Sequence, residues 1–259
     1  MKQRFAALFL AAMLLCALLA GCGPSGVPSD PGSNGSNTPS GDTNSGSDTD
    51  NSNGGQTDAP KLQPSLVMET YNAYHNAADE DVVSFVFRAT NPNPTYSVSL
   101  ARVNLTLKDS TGNVQETTYF MLPTIAPNDT IRFAYTYTCK KGVPFDVSYS
   151  QPSTSSSSFQ TSTDVVRSTD LHAVITNSST TTGLNYTAIS GTVSNTSQYT
   201  CNRVRVSVIL KKNGKIVSSD FTILGSSIPA GKESVFHIYH TNDIGFNPSE
   251  TEVTVTPWN

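Results

Sequence analysis

Histidine, cysteine and tryptophan are scarce in this chain: four, four and one among 259 residues. So few imidazoles leave little material for a metal centre or a general base. His237 and His240 stand three apart in a strand-like run, so their side chains point to opposite faces and cannot share one ion. His75 and His172 fall in separate halves of the chain. No Gly-x-Ser-x-Gly elbow is present, and neither Cys139 nor Cys201 sits in a setting that would lower a thiol pKa. The nearest approach to a phosphate loop, Gly225–Ser234, has five residues between its glycines where four are needed, and Glu233 where Ser or Thr should ligand magnesium. The sequence therefore names no catalytic residue, metal ligand or cofactor, and it reads as non-enzymatic. Basic excess is also absent, with 14 Lys and Arg against 15 Asp and Glu over residues 61–259. Nucleic-acid binding through phosphate neutralisation is excluded on that ground.

The one long apolar run is N-terminal. Lys2 and Arg4 precede sixteen residues, Phe5 to Ala20, too few for a comfortable helical span of roughly 20. This is the pattern of a signal peptide over residues 1–21. Leu19, Ala20, Gly21 and Cys22 then resemble the lipobox of bacterial lipoproteins. That resemblance implies cleavage before Cys22, lipidation of its thiol, and a chain held by lipid on the extracytoplasmic side of the cell membrane. An ordinary cleavage site or a signal anchor, with Cys22 incidental, is the competing reading.

Residues 22–60 are Ser, Gly, Asn, Asp, Thr and Pro, with almost nothing to bury, so the expectation is a disordered tether. Thirty-eight residues, Gly23 to Pro60, would reach roughly 35 Å as a flexible coil. Asp48 to Ser52 has the opening of a calcium loop but not its glycine or its closing Glu. Cys139 and Cys201 are too few for a disulfide scaffold, and are either free buried thiols or an inter-domain bridge.

Beyond Lys61, short alternating runs are broken by turn residues every eight to twelve positions. In NRVRVSVILKKNGKIV, Val204, Val206, Val208 and Leu210 share one face and Arg203, Arg205, Ser207 and Lys211 the other. Asn213-Gly214 marks a tight I′ hairpin. The same phrase occurs earlier, with Arg102, Val103, Leu105, Leu107 and Lys108 each 103 residues before Arg205, Val206, Val208, Leu210 and Lys211. Around it Asn91 matches Asn195, Pro127 matches Pro229 and Phe133 matches Phe236. The chain is thus an internal duplication. The expected fold is all-β, two tandem antiparallel immunoglobulin-like β-sandwich domains at 62–151 and 164–259. Residues 152–163, rich in Ser and Thr, are expected to link them flexibly.

The second copy carries Gly191-Thr-Val193-Ser-Asn195, Asn213-Gly214, Pro229-Ala-Gly231 and Phe236-His-Ile238-Tyr239. On these motifs the repeat unit resembles the FxLYD-type β-sandwich domains of Gram-positive surface lipoproteins. The first copy departs, with Arg88 and Ala89 near the glycine position and Asn128 in place of the loop glycine; His240 stands where the namesake string has Asp. The resemblance implies an extracytoplasmic domain with no established chemistry.

Aromatic side chains are the remaining binding candidates. Phe133, Tyr135 and Tyr137 alternate onto one face, continuing the core parity of Ile131, while Tyr119, Phe120, Tyr149 and Tyr199 lie near strand ends. Trp258 either caps the second core or stands exposed. The expected function is a lipid-anchored, non-catalytic binding or spacer protein of the cell envelope, its partners the membrane and a wall polymer or envelope protein. An envelope hydrolase with a loop-built site is the alternative.

Overall fold

Asn213 and Gly214 both take positive φ, 53° and 74°, and close a two-residue turn in which Lys212 pairs with Lys215. That geometry suits the twist of the strands it joins. In the computed structural model the described residues are 60–161, 164–181, 186–241 and 245–258. Residues 1–21, Leu19, Ala20, Gly21 and Cys22 among them, and the tether up to Ala59 lie outside the described residues.

The first repeat contributes β1 (Ser65–His75), β2 (Asp81–Thr90), β3 (Tyr96–Val98), β4 (Arg102–Lys108), β5 (Val114–Met121), β6 (Thr130–Thr138) and β7 (Asp146–Tyr149). After β8 (Phe159–Thr161) the second adds β9 (Leu171–Thr181), β10 (Tyr186–Asn195), β11 (Val204–Lys212), β12 (Lys215–Leu224), β13 (Glu233–His240) and β14 (Glu252–Pro257). Helix is confined to three short 3₁₀ turns among the described residues. Each repeat folds as two three-stranded antiparallel sheets, ordered β1-β2-β6 and β5-β4-β7 in the first and β9-β10-β13 and β12-β11-β14 in the second. The sheet order is the same in both copies, so the duplication extends from sequence to topology.

Alternation places one face of every sheet in a core. In the first repeat Phe85, Phe87 and Phe133 meet Val103, Leu105, Leu107 and Phe120. In the second, Ile189, Val193, Phe236 and Ile238 meet Val204, Val206, Val208 and Leu210. Fully burying side chains of this size stabilises by about 1.5–3 kcal/mol each. One substitution between the cores is large. Phe133 pairs with Phe87, and Phe236 pairs with Gly191 at the matching place. A Cβ on Gly191 would lie 2.0 Å from the Val174 carbonyl and 2.7 Å from the Phe236 ring, so β9 closes over a gap that only glycine leaves. Phe87, rather than Arg88 or Ala89, is the first repeat's counterpart.

Buried asparagines tie the ends of both sandwiches. Asn91 Nδ2 donates to the carbonyls of Tyr96, Ile125 and Ala126, and its Oδ1 accepts from the Asn93 amide. Asn195 Nδ2 donates to Tyr199 and Ile228, and its Oδ1 accepts from Ser197. These bonds fill remaining acceptor positions of buried carbonyls, some of which also accept a backbone N–H, and satisfy the buried amide itself. Next to them Val98 bridges Ile125 and Cys201 bridges Ile228. Asn128 and Gly231 follow in the same left-handed conformation, φ 53° and 66°. Asn tolerates that region better than other non-glycine residues, which explains the exchange. The register through this loop is a constant 103, so Pro127 matches Ala230 and not Pro229, a one-residue correction to the sequence alignment.

Residues 152–161, the described part of the Ser-rich stretch expected to link the repeats flexibly, instead pair with the first repeat. Here β8 pairs antiparallel with β3, Ser158 is buried, and Ser153 exchanges backbone hydrogen bonds with Arg102. Phe159 packs edge-on to Tyr96 at 6.4 Å. Polar composition there satisfies backbone groups of the first repeat instead of freeing the chain.

Candidate functional site

β11 is buried on both faces from Val204 to Leu210. Its inner face fills the second core as the alternation requires. Its outer face, Arg205, Ser207 and Ile209, is covered by the first repeat, and all three are 2% exposed or less. The partner surface is the outer face of β1-β2-β6, where Ser84, Val86 and Ala134 are equally buried. Small side chains on both sheets let the backbones approach. Ser219 Oγ donates to the Phe85 carbonyl at 2.9 Å, Tyr74 and Ser218 hydroxyls meet at 3.0 Å, and Thr136 Oγ1 donates to the Ser219 carbonyl at 3.2 Å. The two repeats thus share a seam and do not swing on a linker.

Arg205 is the centre of that seam. Its Nε donates to the Ala134 carbonyl at 3.1 Å and its Nη2 bonds the same oxygen. The guanidinium lies 3.6 Å from the Phe221 ring, with Trp258 and Phe133 at 5.3 and 5.6 Å. Aromatic faces stabilise a desolvated cation. Burial pulls the Arg205 pKa down to about 9, and it still holds its proton at neutral pH. Among the described residues no carboxylate forms an ion pair with it.

Among the described residues the ion pair that crosses the seam, Arg132 with Glu252, lies at its rim within a chain of charges. Arg88 and Arg132 hold Glu69 at 2.6 and 2.7 Å, Arg132 also binds Glu252, and Glu252 binds Lys211. Burial works against the Arg132 cation, but Glu69 and Glu252 outweigh it and raise its pKa above the ordinary value. Burial likewise opposes the Glu252 carboxylate, and the hydrogen bonds from Lys211 and Arg132 bring its pKa below the usual range.

Along this rim runs a cleft of about 350 Å³, lined by Thr130, Arg132, Ser168, Thr169, His172 and Thr254 with Leu171 and Val253 beneath. Ser168 anchors one wall, its amide and hydroxyl both donating to Asp129 Oδ2. The Thr254 hydroxyl is buried and without a partner. Hydroxyls, the His172 imidazole and one already paired cation make this a site for polar contacts. No Phe, Tyr or Trp lines it, so stacking on a sugar ring is not available there.

The residues singled out from sequence are dispersed. His237 is exposed and His240 is 2% exposed, on opposite faces as expected. His240 Nδ1 meets Asp220 Oδ2 at 3.1 Å, and its Nε2 is buried without a partner. His75 lies between Asp81 and Asp79, each at 2.9 Å, and hydrogen bonds to Asp81 and then Asp79 raise its pKa. Among the described residues no three His, Cys, Asp or Glu side chains gather as a metal site.

Cys139 and Cys201 are free and buried, which closes the bridge alternative. Burial pushes their thiols up to about 12 and about 11. Phe133, Phe120, Tyr135, Tyr137, Tyr149 and Tyr199 belong to or pack on the cores. Tyr119 is half-exposed beneath Arg102. Trp258 neither caps the second core nor stands free; it flanks Arg205.

Arg205 is the residue that sequence reasoning missed, placed there on a solvent face. One signal was present: Ile209 shares its parity, and an apolar residue in the middle of a supposedly wet face marks a covered strand.

No protein-family model matches the chain, and no curated protein matches it in sequence. Among solved structures, red sea bream transglutaminase is similar at 6% identity and a TM-score of 0.22, over 74% of this chain and 31% of that one. The chain thus spans under a third of that protein's length, and a likeness at this level carries no argument about activity.

Proposed function

We propose that this chain is a lipid-anchored extracytoplasmic protein whose two repeats act together as one rigid, non-catalytic binding module of the cell envelope. The observation that carries the reading is the seam. A buried arginine clamped to the other repeat's backbone fixes the relative position of two sandwiches, which a module presenting composite surfaces requires and a flexible spacer does not. Rigid scaffolds position exposed loops and sheet faces for recognition while tolerating variation in them. The lipobox at Leu19, Ala20, Gly21 and Cys22 supplies the anchor in this reading, and the FxLYD-type resemblance agrees with an envelope location. The ligand is a wall polymer or an envelope protein.

The hydrolase alternative draws no support from the described side chains. Both thiols are driven toward the neutral form, and His240 Nε2 meets no nucleophile.

Co-sedimentation of residues 56–259 with isolated cell-wall sacculi, beside a pull-down from envelope proteins at the same salt, tests the binding role. Saturable retention in one arm is the expected result. Absence of retention in both, with the protein folded, removes the binding module as its function. Cys22→Ser is expected to release the protein from the membrane; a variant that stays bound with its leader cleaved contradicts the anchor.

A further inference from the structure

The arginine-on-aromatic unit of the seam exists twice. Arg102 in β4 stands 103 residues before Arg205, and Tyr119 pairs with Asn104 as Phe221 pairs with Ser207. The Arg102 guanidinium lies 4.1 Å from the Tyr119 ring, as Arg205 lies 3.6 Å from Phe221. In the second repeat this unit is buried against another sandwich. In the first it is bare, with Tyr119 50% exposed.

The surface that receives the unit is duplicated as well. Arg205 docks on the outer face of β1-β2-β6, and the matching face of β9-β10-β13 is open. Val174, Thr192 and Val235 cross it in one row, and Val174, Val235 and Tyr239 are 60%, 57% and 62% exposed. β13 is an edge strand like β6, and His237 follows Phe236 as Ala134 follows Phe133. The receiving face carries Glu233 at its margin and no Lys or Arg, whereas the donating face carries Arg102, with Lys108 beside it paired to Asp146 at 3.9 Å.

We infer that a second copy of this chain docks head-to-tail, its Arg102–Tyr119 face on the β9-β10-β13 face of the first. The contact repeats between molecules the pairing already made within one. Because the two faces differ, each docked copy leaves one free face of each kind, and association continues as an open series instead of stopping at a symmetric dimer. Val235 replaces Arg132 and Ser148 faces where Glu252 does in the seam, so the rim ion pair is missing and the contact is weaker than the internal one. Confinement of many copies to one surface raises their effective concentration and favours it.

Sedimentation velocity on residues 56–259, one compact unit holding both cores, tests this across roughly micromolar to millimolar concentration. The expected weight-average mass rises past about twice the monomer. Arg102→Glu removes the donating face and Val235→Lys the receiving one; both lie on the surface, and thermal melts verify their folds. Each variant alone is expected to stay monomeric, and an equal mixture to form a dimer and stop there, since only one matched pair of faces remains. A wild-type chain monomeric at millimolar concentration overturns the proposal, as do variants that still associate alone. A mixture that yields no dimer overturns the head-to-tail geometry.

Discussion

Arg205 Nε donates to the carbonyl of Ala134 at 3.1 Å, joining residues 71 apart in sequence and set in different repeats. The same guanidinium covers Phe221, so it supplies hydrogen bonds, packing volume and a desolvated charge at once. These contributions separate by substitution. Arg205→Ala leaves the Ala134 carbonyl unpaired beside a cavity, and is expected to lose about 3 kcal/mol in denaturant unfolding. Arg205→Met also loses the bonds to Ala134 but keeps most of the volume and removes the buried charge, so its loss is expected to be smaller, about 1 kcal/mol. Both variants lose the bonds to Ala134, so equal losses would place the stabilisation in the charge and its hydrogen bonds and not in the packing.

Asn91 and Asn195 each tie the carbonyls of two loops together at the end of a sandwich. Replacement by Ala removes three side-chain hydrogen bonds to carbonyls in the first repeat and two in the second, and leaves a buried gap at each place. Each is expected to cost about 2–3 kcal/mol, with Asn91→Ala the costlier. Chemical denaturation of the two variants side by side checks both size and order.

Residues 56–259 contain Cys139 and Cys201 as their only thiols. Both are expected to resist a thiol reagent at about pH 8 in the native state and to react, two per chain, on unfolding. The pH dependence has a definite sign. With pKa values of about 12 and about 11 against an ordinary 9.0, the folded chain keeps protons that the unfolded chain releases, so stability falls as pH rises beyond about 9. Burial raises Tyr74, Tyr135 and Tyr137 in the same sense. Arg205 acts oppositely above about 9, because its folded form loses the proton first. The alkaline decline is therefore expected to be steeper in Arg205→Met than in the parent.

At acid pH the rim of the seam loosens. The Glu252 pKa is below its ordinary 4.5, so its contribution is complete above about that pH and is lost as pH falls through the lower folded value. Its side chain is 39% exposed, which limits the contribution to about 1 kcal/mol. Glu252→Gln is expected to show a flatter decline than the parent in urea midpoints as pH falls below 4.5.

Much of this architecture was legible in the chain. Period-two alternation around Val204–Leu210 marked a strand, Asn213-Gly214 marked its turn, and the 103-residue echo marked a second sandwich with the same sheet order. Alternation reports one buried face and cannot say what covers the other, so Arg205 and Ser207 read as wet; Ile209 alone carried the contrary sign. Composition misled at residues 152–161, where β8 pairs with β3 and Ser153 exchanges backbone hydrogen bonds with Arg102 of β4. Prolines misled the alignment by one residue, because the constrained position in the loop is the left-handed Asn128 or Gly231 and not the proline beside it.

Scanning calorimetry of residues 56–259 addresses the rigid two-repeat unit most directly. The seam predicts one cooperative transition, with calorimetric and van't Hoff enthalpies equal, that splits or broadens in Arg205→Ala. Two independent transitions in the parent chain, unchanged by Arg205→Ala, would contradict it.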